Sequence, residues 1–259
     1  MNQRPDVTLL FRALLAAAVM LATWTPAGAG AAKGHPDLSG VWIEDGAAAP
    51  LLILGTPDPG SKLPFTVEGK RRVDDFRRLL GPAGDRPGNW CLGSGMPESM
   101  MFSGVTGQYP MEIIQSRQQI VIIYESHTEV RHLYFDGKVL PEGDRVPARN
   151  GYSAAHWQGE TLVVETTALK EQEDQAFPHS EEARIVERYR LSKGAKDTKL
   201  VVEWTLTDPV FYTTPVSGGK TWVLDPHGIL LPYDCTETTW LDHLDELKGK
   251  RTSAAGEVK

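Results

Sequence analysis

Between residues 110 and 225 the chain is a succession of short apolar runs separated by turn residues. The runs are MEIIQ (111–115), QIVIIYE (119–125), VRHLYFDG (130–137), YSAAHW (152–157), ETLVVETTAL (160–169), ARIVERYRL (183–191), KLVVEWTL (199–206) and, more weakly, KTWVLD (220–225). Most alternate apolar and polar residues, the period of a half-buried strand. No long helical pattern falls between them, which argues against a parallel doubly wound sheet. Their hairpin rhythm predicts an all-β fold, an antiparallel β-barrel that is lipocalin-like in the loose sense. One amphipathic helix precedes the strands: Thr66 is placed to cap it, Val67, Val73, Phe76, Leu79 and Leu80 form its stripe, and Gly81-Pro82 stops it. Residues 81–109, rich in Gly, Pro, Ser and Met, read as long loops capping one end of the barrel.

Residues 1–32 read as a segment separate from that domain. Arg4 and Arg12 precede the apolar run ALLAAAVMLATW (13–24), followed by Pro26 and the small-residue string AGAGAA, with a cleavage site expected near Ala27–Ala31. This is the layout of a secretory signal peptide. The apolar run is shorter than the roughly 20 residues needed to span a bilayer, so stable membrane insertion is not expected. Export to the periplasm or beyond is, with residues 33–259 as one domain. The net charge of −7 and the lack of a basic block argue against nucleic acid as a partner. In an oxidising compartment the two cysteines, Cys91 and Cys235, most simply form a disulfide. Closing so long a loop is worth about 4–5 kcal/mol in the chain-entropy picture. The alternative is two thiols, one of them catalytic.

The order DLSGVW (37–42), PMEIIQ (110–115), YFDGKVLP (134–141), GYSAAHWQGETLVVETT (151–167), PHSEEARIVERYRL (178–191) and DPVFYTTP (208–215) resembles a large group of secreted bacterial proteins. Those proteins carry GHSIGxWEGDTLVVDT followed by PHS and ERY. The resemblance implies export and a β-rich fold; it implies no particular activity. The chain departs from the pattern at Tyr152 and His156, both in one hairpin.

The candidate site residues come from strand parity. With a two-residue turn at Gln158-Gly159, Trp157 is expected opposite Glu160, Ala155 opposite Leu162, and Ser153 opposite Val164. On the other face Tyr152 is expected opposite Glu165, with His156 nearby. Tyr152, His156 and Glu165 would then form either a pocket wall holding a phenol, a base and an acid, or a wet outer face. In ARIVERYRL the arginines point one way, while Glu187 shares the other face with Ile185, Tyr189 and Leu191. A carboxylate on an apolar face must find a partner or hold a proton. Arg131 lies in similar company and is expected either to neutralise Glu187 or Glu125, or to clamp a substrate carboxylate. His179, in the PHS loop, is expected at the barrel mouth, where it could move a proton or serve a turn. Tyr134, Trp157 and Tyr189 complete the expected binding surface.

No G-x-S-x-G elbow, H-E-x-x-H, paired C-x-x-C or Gly-rich strand-to-helix loop occurs. What remains is cofactor-free acid–base chemistry. The expected function is a lyase (decarboxylation or ring opening) or isomerase acting on a small phenolic or other aromatic compound, with or without a carboxylate. The alternative is a periplasmic carrier of a small apolar ligand.

Overall fold

The computed structural model describes residues 34–45, 63–81, 91–101, 109–194, 197–233 and 242–249. Nine strands close into a barrel: β1 (Gly40–Glu44), β2 (Met111–Gln115), β3 (Gln119–Tyr124), β4 (Glu129–Tyr134), β5 (Tyr152–Gln158), β6 (Thr161–Thr167), β7 (Arg184–Lys193), β8 (Thr198–Thr207) and β9 (Val216–Asp225). They follow chain order around the wall, and β1 pairs with β9 to complete it. The expected all-β barrel is the fold. Closure leaves no free sheet edge except where neighbouring strands separate. The expected signal segment and Cys235 lie outside the described residues. Among the described residues no helix is long and apolar enough to cross a membrane.

Alternation is clearest in β2, β3, β7 and β8, while β6 also buries the outward Val163. The inner face carries Trp42, Met111, Ile113, Ile120, Ile122, Leu133, Ala155, Leu162, Val164, Ile185, Leu200, Val202, Trp204, Leu206 and Trp222, all buried. At one end Gln115 receives the Leu38 amide on its Oε1 and Trp42 Nε1 donates to the Leu38 carbonyl, so residues 36–39 seal that opening. The other end is filled by residues 92–101, where Met96 and Met100 are fully buried and a single helical turn, α2 (Glu98–Met101), enters the mouth.

α1 (Val67–Leu80) begins as expected. Thr66 accepts the Gly69 amide at 2.9 Å, and Gly81, with φ 72°, ends the helix. The expected stripe is corrected. Only Gly69 and Val73 are buried, and Val67 is 91% exposed, because α1 lies on the loop at Phe211 rather than on the barrel wall.

Two further expectations are corrected. β4 and β5 are parallel, and they pair only at Leu133↔Ser153 and Tyr134↔Ala154. The chain leaves β4 at one end and returns through residues 135–151 to the other before β5 begins, which a hairpin cannot do. In the β5–β6 hairpin the loop is Gly159-Glu160, not Gln158-Gly159, with Gln158↔Thr161 as the closing pair. Gly159 takes φ 61° at the first loop position, where a type II′ turn wants glycine. Each partner therefore moves by two residues: Trp157 faces Leu162, Ser153 faces Thr166, Tyr152 faces Thr167, and Glu165 faces Ala154. A two-residue shift leaves every side chain on its expected face.

Candidate functional site

The strand EVRHLY places Glu129, Arg131 and Leu133 inside the barrel, and RIVERYRLSK places Ile185, Glu187 and Tyr189 there. Arg131 and Glu187 meet as a doubly bonded ion pair whose side chains are 1% and 0% exposed. One guanidinium nitrogen donates to Glu187 Oε1 at 2.9 Å and to Tyr189 Oη at 3.3 Å; the other donates to Glu187 Oε2 and to Thr166 Oγ1 at 2.7 Å. Nε donates to Ser153 Oγ at 3.1 Å. Tyr189 Oη in turn donates to Glu187 Oε1 at 2.8 Å. A guanidinium has five N–H donors, and all are engaged. The Glu187 charge holds Arg131 well above its ordinary value although burial works against it, and burial with that same charge pushes the Tyr189 phenol well up. The network is fully satisfied, so Arg131 as placed has no donor free for a substrate carboxylate. Of the partners open to it in the sequence, Arg131 pairs with Glu187.

The opening that reaches solvent lies beside this network. Beyond their two paired residues β4 and β5 separate, leaving a groove of about 590 Å³, within the usual span of small-ligand sites. Its two banks are residues 127–132 with Tyr134, and residues 147–152; Cys91–Gly93 and Lys170 complete the lining. The Tyr134 and Tyr152 rings stack along it at 5.1 Å between centroids, and His132 stacks on Tyr134 at 5.9 Å. Tyr152 is locked in place. Its hydroxyl accepts the Leu140 amide at 2.9 Å and donates to the Lys138 carbonyl at 3.2 Å, while the Arg145 guanidinium sits 5.2 Å above the ring. Glu129 forms the inner bank, accepting from the Gly95 amide at 3.0 Å, Ser99 Oγ at 2.6 Å and Asn150 Nδ2 at 3.3 Å. Arg149 is tied to Asp174 at 2.9 Å and to the Gly93 and Ser94 carbonyls.

Of the remaining expected residues, His156, Glu165, Trp157 and His179 do not line that groove. Tyr152, His156 and Glu165 share the outer face as parity predicts, but that face is the wet one. His156 is exposed beside Gln158, and Glu165 pairs with Arg184. They form no enclosed acid–base wall. Trp157 lies toward the sealed end, stacked on His35 at 4.9 Å. His179 is fully buried rather than open at the mouth. Its Nδ1 bonds the Phe177 carbonyl at 3.0 Å, its Nε2 lies 3.3 Å from Gln172 Nε2, and burial lowers its pKa. Its backbone pairs with Gln172, closing the loop over the barrel. Among the described residues no cysteine is free.

The sequence reading missed Glu129, Arg149, Asn150 and Lys170, because the groove arises from a failure of pairing that local patterns do not announce. It also missed a second buried cation. Lys220 points inward from β9, its Nζ 3.3 Å from Glu44 Oε1, 3.1 Å from the Met101 carbonyl and 4.4 Å from the centre of the Trp222 ring.

No protein-family model matches the chain, and no curated protein does. Among solved structures a rhizavidin–biotin complex is similar over 47% of this chain and 88% of that one, at 10% identity and a TM-score of 0.27. The barrel assignment stands on the strand pairing of this chain.

Proposed function

We propose that this protein is an exported binder of a small aromatic or apolar molecule, held against the Tyr134–Tyr152 stack in the groove between β4 and β5. The groove itself carries the reading. It is of ligand size, it is open to solvent, and it presents stacked aromatic rings with a few fixed polar groups. The interior acid and base that could have served catalysis, Glu187 and His179, are buried and hydrogen-bonded to protein groups. A carboxylate on the ligand would find the exposed Lys170 amine at the rim. Export rests on the basic, apolar and small-residue order of residues 1–32.

A cofactor-free lyase or isomerase is the second reading. It is favoured by His132, Tyr134 and Tyr152, three side chains able to move a proton, lining the same groove. Incubation of the purified protein with a panel of aromatic acids and phenols separates the two readings, with calorimetric titration for binding and liquid chromatography–mass spectrometry for conversion. Saturable binding that Tyr134→Ala abolishes, with the panel chemically unchanged, is the expected result. A growing product peak would establish the enzyme instead. No binding, no product and no co-purifying compound would overturn both.

A further inference from the structure

We propose that Lys220 is a reactive amine inside the barrel that captures small aldehydes or ketones as an imine, with Glu44 moving the protons and Trp222 holding the carbonyl oxygen. Three observations converge. First, Lys220 occupies an inward position of β9 between the buried Trp204 and Trp222, a place that strand alternation otherwise fills with apolar residues. Second, Lys220 Nζ lies 3.3 Å from Glu44 Oε1 and donates to the Met101 carbonyl at 3.1 Å, without the double bonding that locks the Arg131–Glu187 pair. Third, Trp222 Nε1 is buried without a hydrogen-bond partner. Its ring lies under Lys220 Nζ, and its backbone is paired with that of Glu44. A buried N–H without a partner is costly, and a ligand oxygen beside Lys220 would satisfy it.

Burial lowers the Lys220 pKa while the Glu44 charge works against that shift, so the amine gives up its proton more readily than an exposed lysine does. The Lys220 side chain itself is 4% exposed. In the step itself Glu44 takes one proton from the Lys220 ammonium. The freed Nζ lone pair attacks the carbonyl carbon, and the C=O π pair moves to oxygen, facing Trp222 Nε1. Glu44 returns its proton to that oxygen and takes one from nitrogen, giving the carbinolamine. Glu44 then protonates the hydroxyl, which leaves as water while the nitrogen lone pair forms the C=N bond. Ammonium plus carbonyl become iminium plus water, with no oxidant or reductant consumed.

The test uses the whole protein with benzaldehyde as probe, sodium cyanoborohydride to reduce any imine to a stable benzyl amine, and peptide mapping by mass spectrometry. One benzyl group on the Lys220 peptide, ahead of the exposed Lys138 and Lys170, is expected. Lys220→Arg, which keeps the charge, should lose that adduct, and Glu44→Gln should slow its formation. Tyr134→Ala in the groove should leave it unchanged, so failure here and failure of the groove reading are separate results. Benzylation spread over surface lysines with the Lys220 peptide unmodified would overturn the proposal, and this outcome is read on the unmutated protein.

Discussion

Arg131 on β4 and Glu187 on β7 lock each other inside the barrel with every guanidinium N–H and both carboxylate oxygens engaged. Removing one partner of such a pair leaves an uncompensated buried charge. Glu187→Ala is therefore expected to cost about 3–5 kcal/mol in a urea-denaturation series. Replacing both, as Arg131→Leu with Glu187→Leu, should recover most of that loss, since well-packed apolar substitutes for a buried pair are often neutral or stabilising. A single-variant cost below about 1 kcal/mol, the ordinary worth of an exposed pair, would contradict a structural role.

The loop over the barrel mouth should give stability an opposing pair of pH dependences. Burial lowers the His179 pKa. Below about pH 6.5 the unfolded chain gains that proton first. Stability is then lost as pH falls toward the folded value, by at most about 1.4 kcal/mol per pH unit. Glu173 runs the other way. Burial, then the nearby Glu171 and Asp174 charges, raise its pKa from 4.5 to about 6, so its contribution is present below 4.5 and lost as pH rises through about 6. Thermal melts across pH 4.5–8 should find Glu173→Gln more stable than the parent at pH 8 and equal to it at pH 4.5. In His179→Gln the loss below pH 6.5 should disappear.

The barrel was legible because alternation is a local signal: the faces of β4, β5, β6 and β7, and the inward Arg131 and Glu187, follow from counting residues. Their pairing with each other was one of two partners open to Arg131, because parity assigns a face and no height along the barrel. The β5–β6 register turned on which side of Gly159 the loop fell, a choice of backbone dihedral that parity cannot see. β1 escaped notice because GVWIE is short and stands alone among Gly, Ala and Pro. Lys220 was hidden by Gly218-Gly219, which interrupt the alternation of β9 just before it.

Gly69 tests how α1 is seated. Alanine is the better helix former by about 1 kcal/mol, so helix propensity alone favours Gly69→Ala. An added Cβ, however, would come 2.6 Å from the Phe211 backbone, which cannot swing away as a side chain could. The variant is expected to melt lower than the parent, with the Thr66–Val210 and Thr66–Phe211 contacts weakened as the helix shifts outward. A higher melting temperature would mean that α1 moves without cost and contributes little to holding the Phe211 loop.

Cys91 borders the groove next to Leu92 and Gly93, so its bonding state should affect the proposed binding as well as the fold. No described cysteine is free, and Cys235 is the other cysteine of the sequence. Titration of the denatured, unreduced protein with a thiol reagent is expected to find no free thiol, and two after reduction. A bridge closing so long a loop contributes about 4–5 kcal/mol through the unfolded state, so reduction should lower the urea midpoint sharply. If the bridge is present, reduction should also weaken the proposed binding, because the segment Cys91–Gly93 would lose that tie. Two thiols titrating before reduction would rule out the Cys91–Cys235 bridge and make Cys91 a reactive group at the groove wall.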